Sequence, residues 1–273
     1  IDVEQTCLQA DIDEDIYIEL PEDFRAFPNA VGGLLRNAIY GLVQSELFWF
    51  RKFTDGINEK GFEQSRVDVY VFRRIVDGKI VTIIVVYVDD ILLASKTKED
   101  EGRTLSDLSS CFKIKDLGEA EFYLGCHITR IREARTLTFD QHIYAETAAK
   151  RFNVTKTSMI PTATGVKSLS KEDGHKTPKE REEMRCIPYT EAVGALMSAA
   201  TMTRSDLSFA AHNLAKVCND PDPVHWKAAA KALRCFWRTK DLDISYGEVT
   251  SRGLTMSAYV DSDHATCPGT RHT

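Results

Sequence analysis

Long apolar runs are scarce. The longest, Ile80 to Val88, stops at Asp89-Asp90 and falls well short of the roughly 18 consecutive apolar residues that a membrane span needs. No leader with a basic start and an apolar middle opens the chain, so no membrane partner and no secretion are expected. The seven cysteines, Cys7, Cys111, Cys126, Cys186, Cys218, Cys235 and Cys267, are scattered and never form a Cys-x-x-Cys pair. That argues against a disulfide framework and for a reducing compartment, cytosolic or nuclear. His264, Cys267 and His272 come nearest to a zinc set, but without paired spacing they read as ordinary polar residues. Positive charge is in deficit as well, with 35 Lys and Arg against 41 Asp and Glu and a net charge of −6. This argues against holding nucleic acid by bulk attraction.

The deficit is uneven. Residues 1–50 carry ten acids and two bases, a net −8 that leaves +2 for the rest. An acidic patch beside a mildly basic remainder suits a cation-dependent phosphoryl-transfer site, although a solvated acidic face gives the same pattern. The first residue is Ile1, and the last residues follow an apolar stretch without a closing helix. The chain is therefore expected to be a piece of a longer one.

Periodicity predicts a mixed α/β (α+β) chain. Ile16 to Leu20 reads as a short strand, and Val31 to Trp49 as a helix opened by Gly32-Gly33. Val67, Val69 and Val71 alternate with polar and aromatic residues as in a strand, and Asp77-Gly78 is a hairpin turn. Val81 to Val88 is a strand expected to be buried on both faces. Thr97 to Cys111 is helical, Phe122 to Ile128 and Leu137 to Phe139 are strands, and Gln141 to Phe152 is a helix. Polar residues fill 155–188, read as a linker. Tyr189 to Cys218 and Pro223 to Trp237 are helical, and Leu254 to Val260 is a last strand.

Asp89 and Asp90 interrupt what would otherwise be one overlong strand, which places two carboxylates at the tip of a hairpin. Adjacent like charges resist joint ionisation, and a divalent cation relieves them. Magnesium prefers a few carboxylates together with water and phosphate oxygens, and an Asp pair suits it better than any His or Cys set. A plain solvated turn explains the dipeptide alone equally well.

The surrounding residues narrow the choice. Tyr87-Val88-Asp89-Asp90 resembles the Tyr-x-Asp-Asp motif of reverse transcriptases. Asp2-Val3 with Ile16-Tyr17-Ile18-Glu19-Leu20-Pro21, Tyr40-Gly41-Leu42 with Gln44 and Trp49, and Lys115-Asp116-Leu117-Gly118 resemble further motifs of the copia-type retrotransposon group. Ala192-Val193-Gly194, Thr203-Arg204 with Asp206, and His225-Trp226 are similar to its connection, and Asp261-Ser262-Asp263 to its first ribonuclease H strand. The resemblance implies a reverse-transcriptase palm and partial thumb over 1–154, a linker over 155–188, a connection over 189–253 and the start of a ribonuclease H domain over 254–273.

It also implies Asp2, Asp89 and Asp90 as catalytic residues and ligands of Mg²⁺ or Mn²⁺, with Asp261 as a possible ribonuclease H remnant. Cys7, Gln44 and Tyr87 would be substrate-binding: Cys7 beneath the 2′ carbon of the nucleotide, Gln44 by the nucleotide or template, and Tyr87 by the primer end. The implied partners are an RNA or DNA template with primer, deoxynucleoside triphosphates and other segments of the polyprotein. The implied setting is a cytoplasmic virus-like particle with a nuclear phase.

Several positions depart from the family. Cys7 replaces an aromatic residue, Ser45-Glu46-Leu47 replaces Ala-Pro-Arg after Gln44, and Ser205 replaces a proline. Losing an arginine and gaining an acid weakens a path for polyanions. The fingers of the family would precede Asp2, so this chain by itself is expected not to extend a primer. Two readings stay open, a polymerase fragment and a degenerate fragment that binds nucleic acid or protein without catalysis.

Overall fold

The computed structural model describes residues 1–20, 32–155, 158–161, 177–247 and 258. The chain divides into two compact units, Ile1–Ala120 and Glu121–Thr273, each mixing helix with antiparallel sheet in an α+β arrangement.

The first unit has strands β1 (Asp2–Val3), β2 (Tyr17–Glu19), β3 (Gly32–Leu34), β4 (Phe62–Gln64), β5 (Val71–Val76), β6 (Lys79–Tyr87), β7 (Asp90–Ser95) and β8 (Ile114–Lys115), and helices α1 (Ser45–Glu59) and α2 (Lys98–Cys111). Six strands form one sheet in the order β4-β5-β6-β7-β1-β8, and β2 pairs with β3 separately. In α1, Trp49, Phe53 and Ile57 recur every four residues beside Phe48 and make one apolar face. That face packs with Phe72, Ile84, Val86, Ile91 and Phe112. Burying each such side chain stabilises by about 1.5–3 kcal/mol. The ring of Phe112 lies 5.2 Å from both Trp49 and Phe53, and a Cβ on Gly56 would come within 2.9 Å of it. Glycine is needed there because the ring lies against the helix backbone. Past α1, Gly61 takes φ +81°, the left-handed conformation that stops a helix. In α2, the Thr97 hydroxyl accepts the Asp100 N–H at 3.1 Å, and three acids in the first turn suit the helix dipole.

In the first unit three local expectations need correcting. The helix expected over Val31 to Trp49 is instead β3 followed, eleven residues on, by α1. Gly32-Gly33 serves the pairing with Ile18 and Glu19, where a Cβ on Gly32 would sit 3.1 Å from the Ile18 carbonyl oxygen. The strand expected from Val67 begins at Val71, and Val67 itself is 98% exposed. β6 is buried on one face only, through Thr82, Ile84 and Val86, while Tyr87 is 57% exposed. The core lies on the side of Ile84 and Val86, so an apolar run here does not mean two covered faces. The Asp77-Gly78 turn is where the sequence puts it, both residues having positive φ between β5 and β6.

The second unit has strands β9 (Phe122–Tyr123), β10 (Cys126–Ile131), β11 (Thr136–Asp140) and β12 (Ile244–Tyr246), and helices α3 (His142–Arg151), α4 (Pro178–Arg185), α5 (Tyr189–Met202), α6 (Ser208–Ala215) and α7 (Pro223–Arg238). The sheet order is β12-β11-β10-β9. The single strand expected over Phe122 to Ile128 is split at Leu124 and Gly125, both at positive φ. Small residues such as Ala145, Ala148, Ala199, Ala211 and Ala232 let α3, α5, α6 and α7 pack around Leu196, Leu214 and Phe236. Arg204, only 2% exposed, is bidentate to Asp206 at 2.8 Å and bonds the Thr239 carbonyl at 2.9 Å and hydroxyl at 2.6 Å. It ties the turn after α5 to the end of α7. The stretch read as a linker holds α4, which starts with a capping box between Thr177 and Glu180. The expected strand at Leu254 to Val260, apart from Ala258, and Asp261, His264, Cys267 and His272 lie outside the described residues.

Candidate active site

Tyr87 pairs with Asp90 across the β6–β7 hairpin, which leaves Val88-Asp89 as a two-residue turn. Val88 has φ +54°, a left-handed conformation that costs a β-branched residue on the order of 1–3 kcal/mol. The surrounding structure holds it there. The indole N–H of Trp49, 2% exposed in α1, donates to the Val88 carbonyl at 2.7 Å. On the next strand, the Val3 N–H donates to the Asp89 carbonyl and the Ile91 N–H to the Ile1 carbonyl, both at 2.9 Å.

Those bonds flank Asp2 and Asp90, which lie directly opposite each other between them. Pairs of this kind bring Cα atoms to about 4.5 Å, with their side chains on one face. Val3 and Ile91 point into the core, so Asp2 and Asp90 share the other face with Tyr87. Lys115 of β8 is next in register beyond Asp2. One row across four strands thus reads Tyr87, Asp90, Asp2, Lys115.

The acids of this row repel one another. Partial burial raises the Asp90 carboxyl above its ordinary range, as do the charges of Asp89 and then Asp2, against a smaller opposing pull from the amino terminus. Cys7 is buried in the short 3₁₀ turn Thr6–Gln9. Its thiol is pushed up by burial first and by Glu46 and Asp89 next, which places both acids near it. Gln44 stands just before α1, where its carbonyl accepts the Phe48 N–H at 3.0 Å. Asp2, Asp89, Asp90, Cys7 and Tyr87 therefore gather at one end of the sheet. Among the described residues the amide of Gln44 makes no hydrogen bond to any of the three acids.

Two features escaped the sequence reading. The role of Trp49 in holding the turn needed the fold to show it. The other is a cluster in the second unit, His127, Asp140 and His142, whose ligand atoms all lie within 4.8 Å of one another. Asp140 is partly buried, which alone would raise its carboxyl, yet the hydrogen bonds from His127 and His142 leave it below its usual range. Asp140-Gln141-His142 was its signal in the sequence, readable only once β10 is known to pair with β11.

The chain matches the family model described as reverse transcriptase (RNA-dependent DNA polymerase) over residues 1–165. It is 32% identical over 268 residues to a retrovirus-related Pol polyprotein from transposon TNT 1-94 of Nicotiana tabacum, covering 97% of this chain and 20% of that one. To the Pol polyprotein from transposon RE1 of Arabidopsis thaliana it is 31% identical over 271 residues, covering 97% and 17%. A putative transposon Ty5-1 protein of Saccharomyces cerevisiae is 28% identical over 269 residues, covering 97% and 83%. No solved structure matches. The chain belongs to the reverse transcriptase family, in its copia-type retrotransposon branch. It spans about a fifth of the length of the plant polyproteins it matches.

Proposed function

We propose that the first unit is the palm of an RNA-directed DNA polymerase, with Asp2, Asp89 and Asp90 as its cation-binding acids, and that the second unit supplies thumb and connection. The observation that carries this reading is the facing pair Asp2 and Asp90 beside the turn that presents Asp89. The residues fit hard divalent ions. Their donors are all carboxylate oxygens, they repel one another, and among the described residues no Lys, Arg or His forms an ion pair with them. Bound Mg²⁺ or Mn²⁺ would supply the charge that makes a primer hydroxyl a better nucleophile and steadies the triphosphate.

The chain's own residues do the positioning. Trp49 fixes the turn, the β1–β7 pairing sets the spacing of Asp2 from Asp90, and exposed Tyr87 flanks them on the face where a primer end would rest. Cys7 would lie beneath the sugar, where a side chain smaller than an aromatic ring leaves space for a 2′-hydroxyl. The substrates on this reading are a primed RNA or DNA template and deoxynucleoside triphosphates.

Glu46, near Cys7, and Leu47, 48% exposed where the resemblance implies an arginine, favour a second reading, a palm that binds cations without catalysing. Mn²⁺ titration followed by electron paramagnetic resonance, together with primer extension, separates the two. In both assays the chain is compared with its Asp89→Asn/Asp90→Asn variant, and for extension each is joined to the preceding segment of the tobacco relative. We expect the variant to bind fewer equivalents of Mn²⁺ and extension to fall by at least about 100-fold. Unchanged Mn²⁺ binding would overturn the site assignment. Mn²⁺ binding by the parent chain without extension would establish the second reading.

A further inference from the structure

His127, Asp140 and His142 come from three consecutive elements of the second unit. His127 on β10 is opposite Asp140 on β11 in register, and His142 opens α3. Both rings turn the same nitrogen toward one carboxylate. His127 Nδ1 lies 2.9 Å from one Asp140 oxygen, and His142 Nδ1 is hydrogen-bonded to the other, which also accepts the His142 backbone N–H at 3.1 Å. The two rings meet edge to face with centroids 5.1 Å apart, and Phe122 lies 5.2 Å from His127. Between the two histidines, Gln141 is buried, and its side-chain oxygen accepts the Thr203 hydroxyl at 2.9 Å. The residue linking Asp140 to His142 is thus anchored from within the unit.

We propose that these three residues form a binding site for a divalent transition-metal ion of the zinc class. Two imidazole nitrogens and one carboxylate oxygen are a donor set that zinc accepts and magnesium does not favour. Bonds of about 2.0–2.1 Å to a tetrahedral ion would hold the three ligand atoms about 3.3 Å apart. The 4.8 Å spread therefore needs only side-chain rotation. The side chains are 31%, 15% and 33% exposed, so an ion can enter, and a fourth position is left for water or a ligand from a partner. A bound ion would pin the start of α3 to the β10–β11 hairpin. The site is separate from the acids of the first unit and does not depend on the reading given to them.

The test is metal stoichiometry and spectroscopy on the full chain, stripped with chelator and then titrated with Zn²⁺ or with Co²⁺ as a coloured substitute. The expected result is one tightly held equivalent, with the visible absorption of tetrahedral Co²⁺ in a nitrogen and oxygen set. His127→Gln and His142→Gln should each weaken binding by more than about 100-fold, beyond what loss of an outer hydrogen-bonding partner costs. The Asp89→Asn/Asp90→Asn and His264→Gln/Cys267→Ser variants should retain the equivalent. Absence of a bound equivalent in the parent chain overturns the proposal, as does its survival in the His127→Gln/His142→Gln double variant or its loss in His264→Gln/Cys267→Ser. Circular dichroism in chelator checks that the histidine variants fold. If they do not, nuclear magnetic resonance of the parent chain decides, because Zn²⁺ must shift the ring signals of His127 and His142, and unmoved signals refute the site.

Discussion

The two units differ at one place in how acidic side chains are partnered. In the second, acids meet bases: Asp140 contacts His127 and His142, Asp206 is bidentate to Arg204, and Glu146 is bonded by Lys240 at 2.8 Å. In the first, Arg74 and Asp107 form a comparable pair, with the Arg74 guanidinium 4.2 Å from the Phe62 ring. One row of the same sheet does the reverse, with Asp2 and Asp90 facing each other and Asp89 next to them. Among the described residues these three acids stand together without an ion pair at one end of one sheet, beside a turn in a costly backbone conformation. A chain able to neutralise acids elsewhere has left them facing where a polymerase palm would bind cations.

Substitutions can break this contrast or sharpen it. The largest effect on stability is expected for Arg204→Met, which removes four hydrogen bonds of a buried guanidinium. The loss should be about 2–3 kcal/mol, discounted for the half-exposed Asp206, and urea unfolding of the second unit measures it. Trp49→Phe should cost about 1–3 kcal/mol in the first unit, because the Val88 carbonyl loses its donor. It should also weaken Mn²⁺ binding, which an effect on packing alone would leave unchanged. The smallest pair is the sharpest. In chelator, Asp140→Asn should destabilise by about 1–2 kcal/mol through loss of charge-assisted hydrogen bonds, whereas Asp90→Asn should stabilise by less than about 1 kcal/mol by relieving repulsion. Opposite signs in matched denaturation curves support the contrast, and equal signs would end it.

Much of this was legible in the sequence where the signal is local. The Asp77-Gly78 turn, the helix after Thr97 and the interruption at Asp89-Asp90 each depend on residues within a few positions, and each appears where expected. What was misread depends on distant partners. Gly32-Gly33 resembles a helix start until Ile18 is known to lie against it, and the apolar run of β6 does not reveal which face is covered. His127 and Asp140 are thirteen positions apart, and only the strand register makes them neighbours. For the candidate palm site, the motif around Asp89 pointed to the acids, while the part played by Trp49 depended on how α1 packs.

The hydrogen bond from Trp49 to Val88 has a consequence for how such a chain decays once selection for copying is relaxed. Asp89 is exposed at the turn, and its replacement disturbs no core packing, so drift can erase it at little cost to folding. Trp49 fills the centre of the first unit and also holds the turn, so its loss is penalised in any descendant that still folds. Inactive relatives should therefore lose Asp89 before Trp49, so that the fold of the first unit outlasts the site proposed on it.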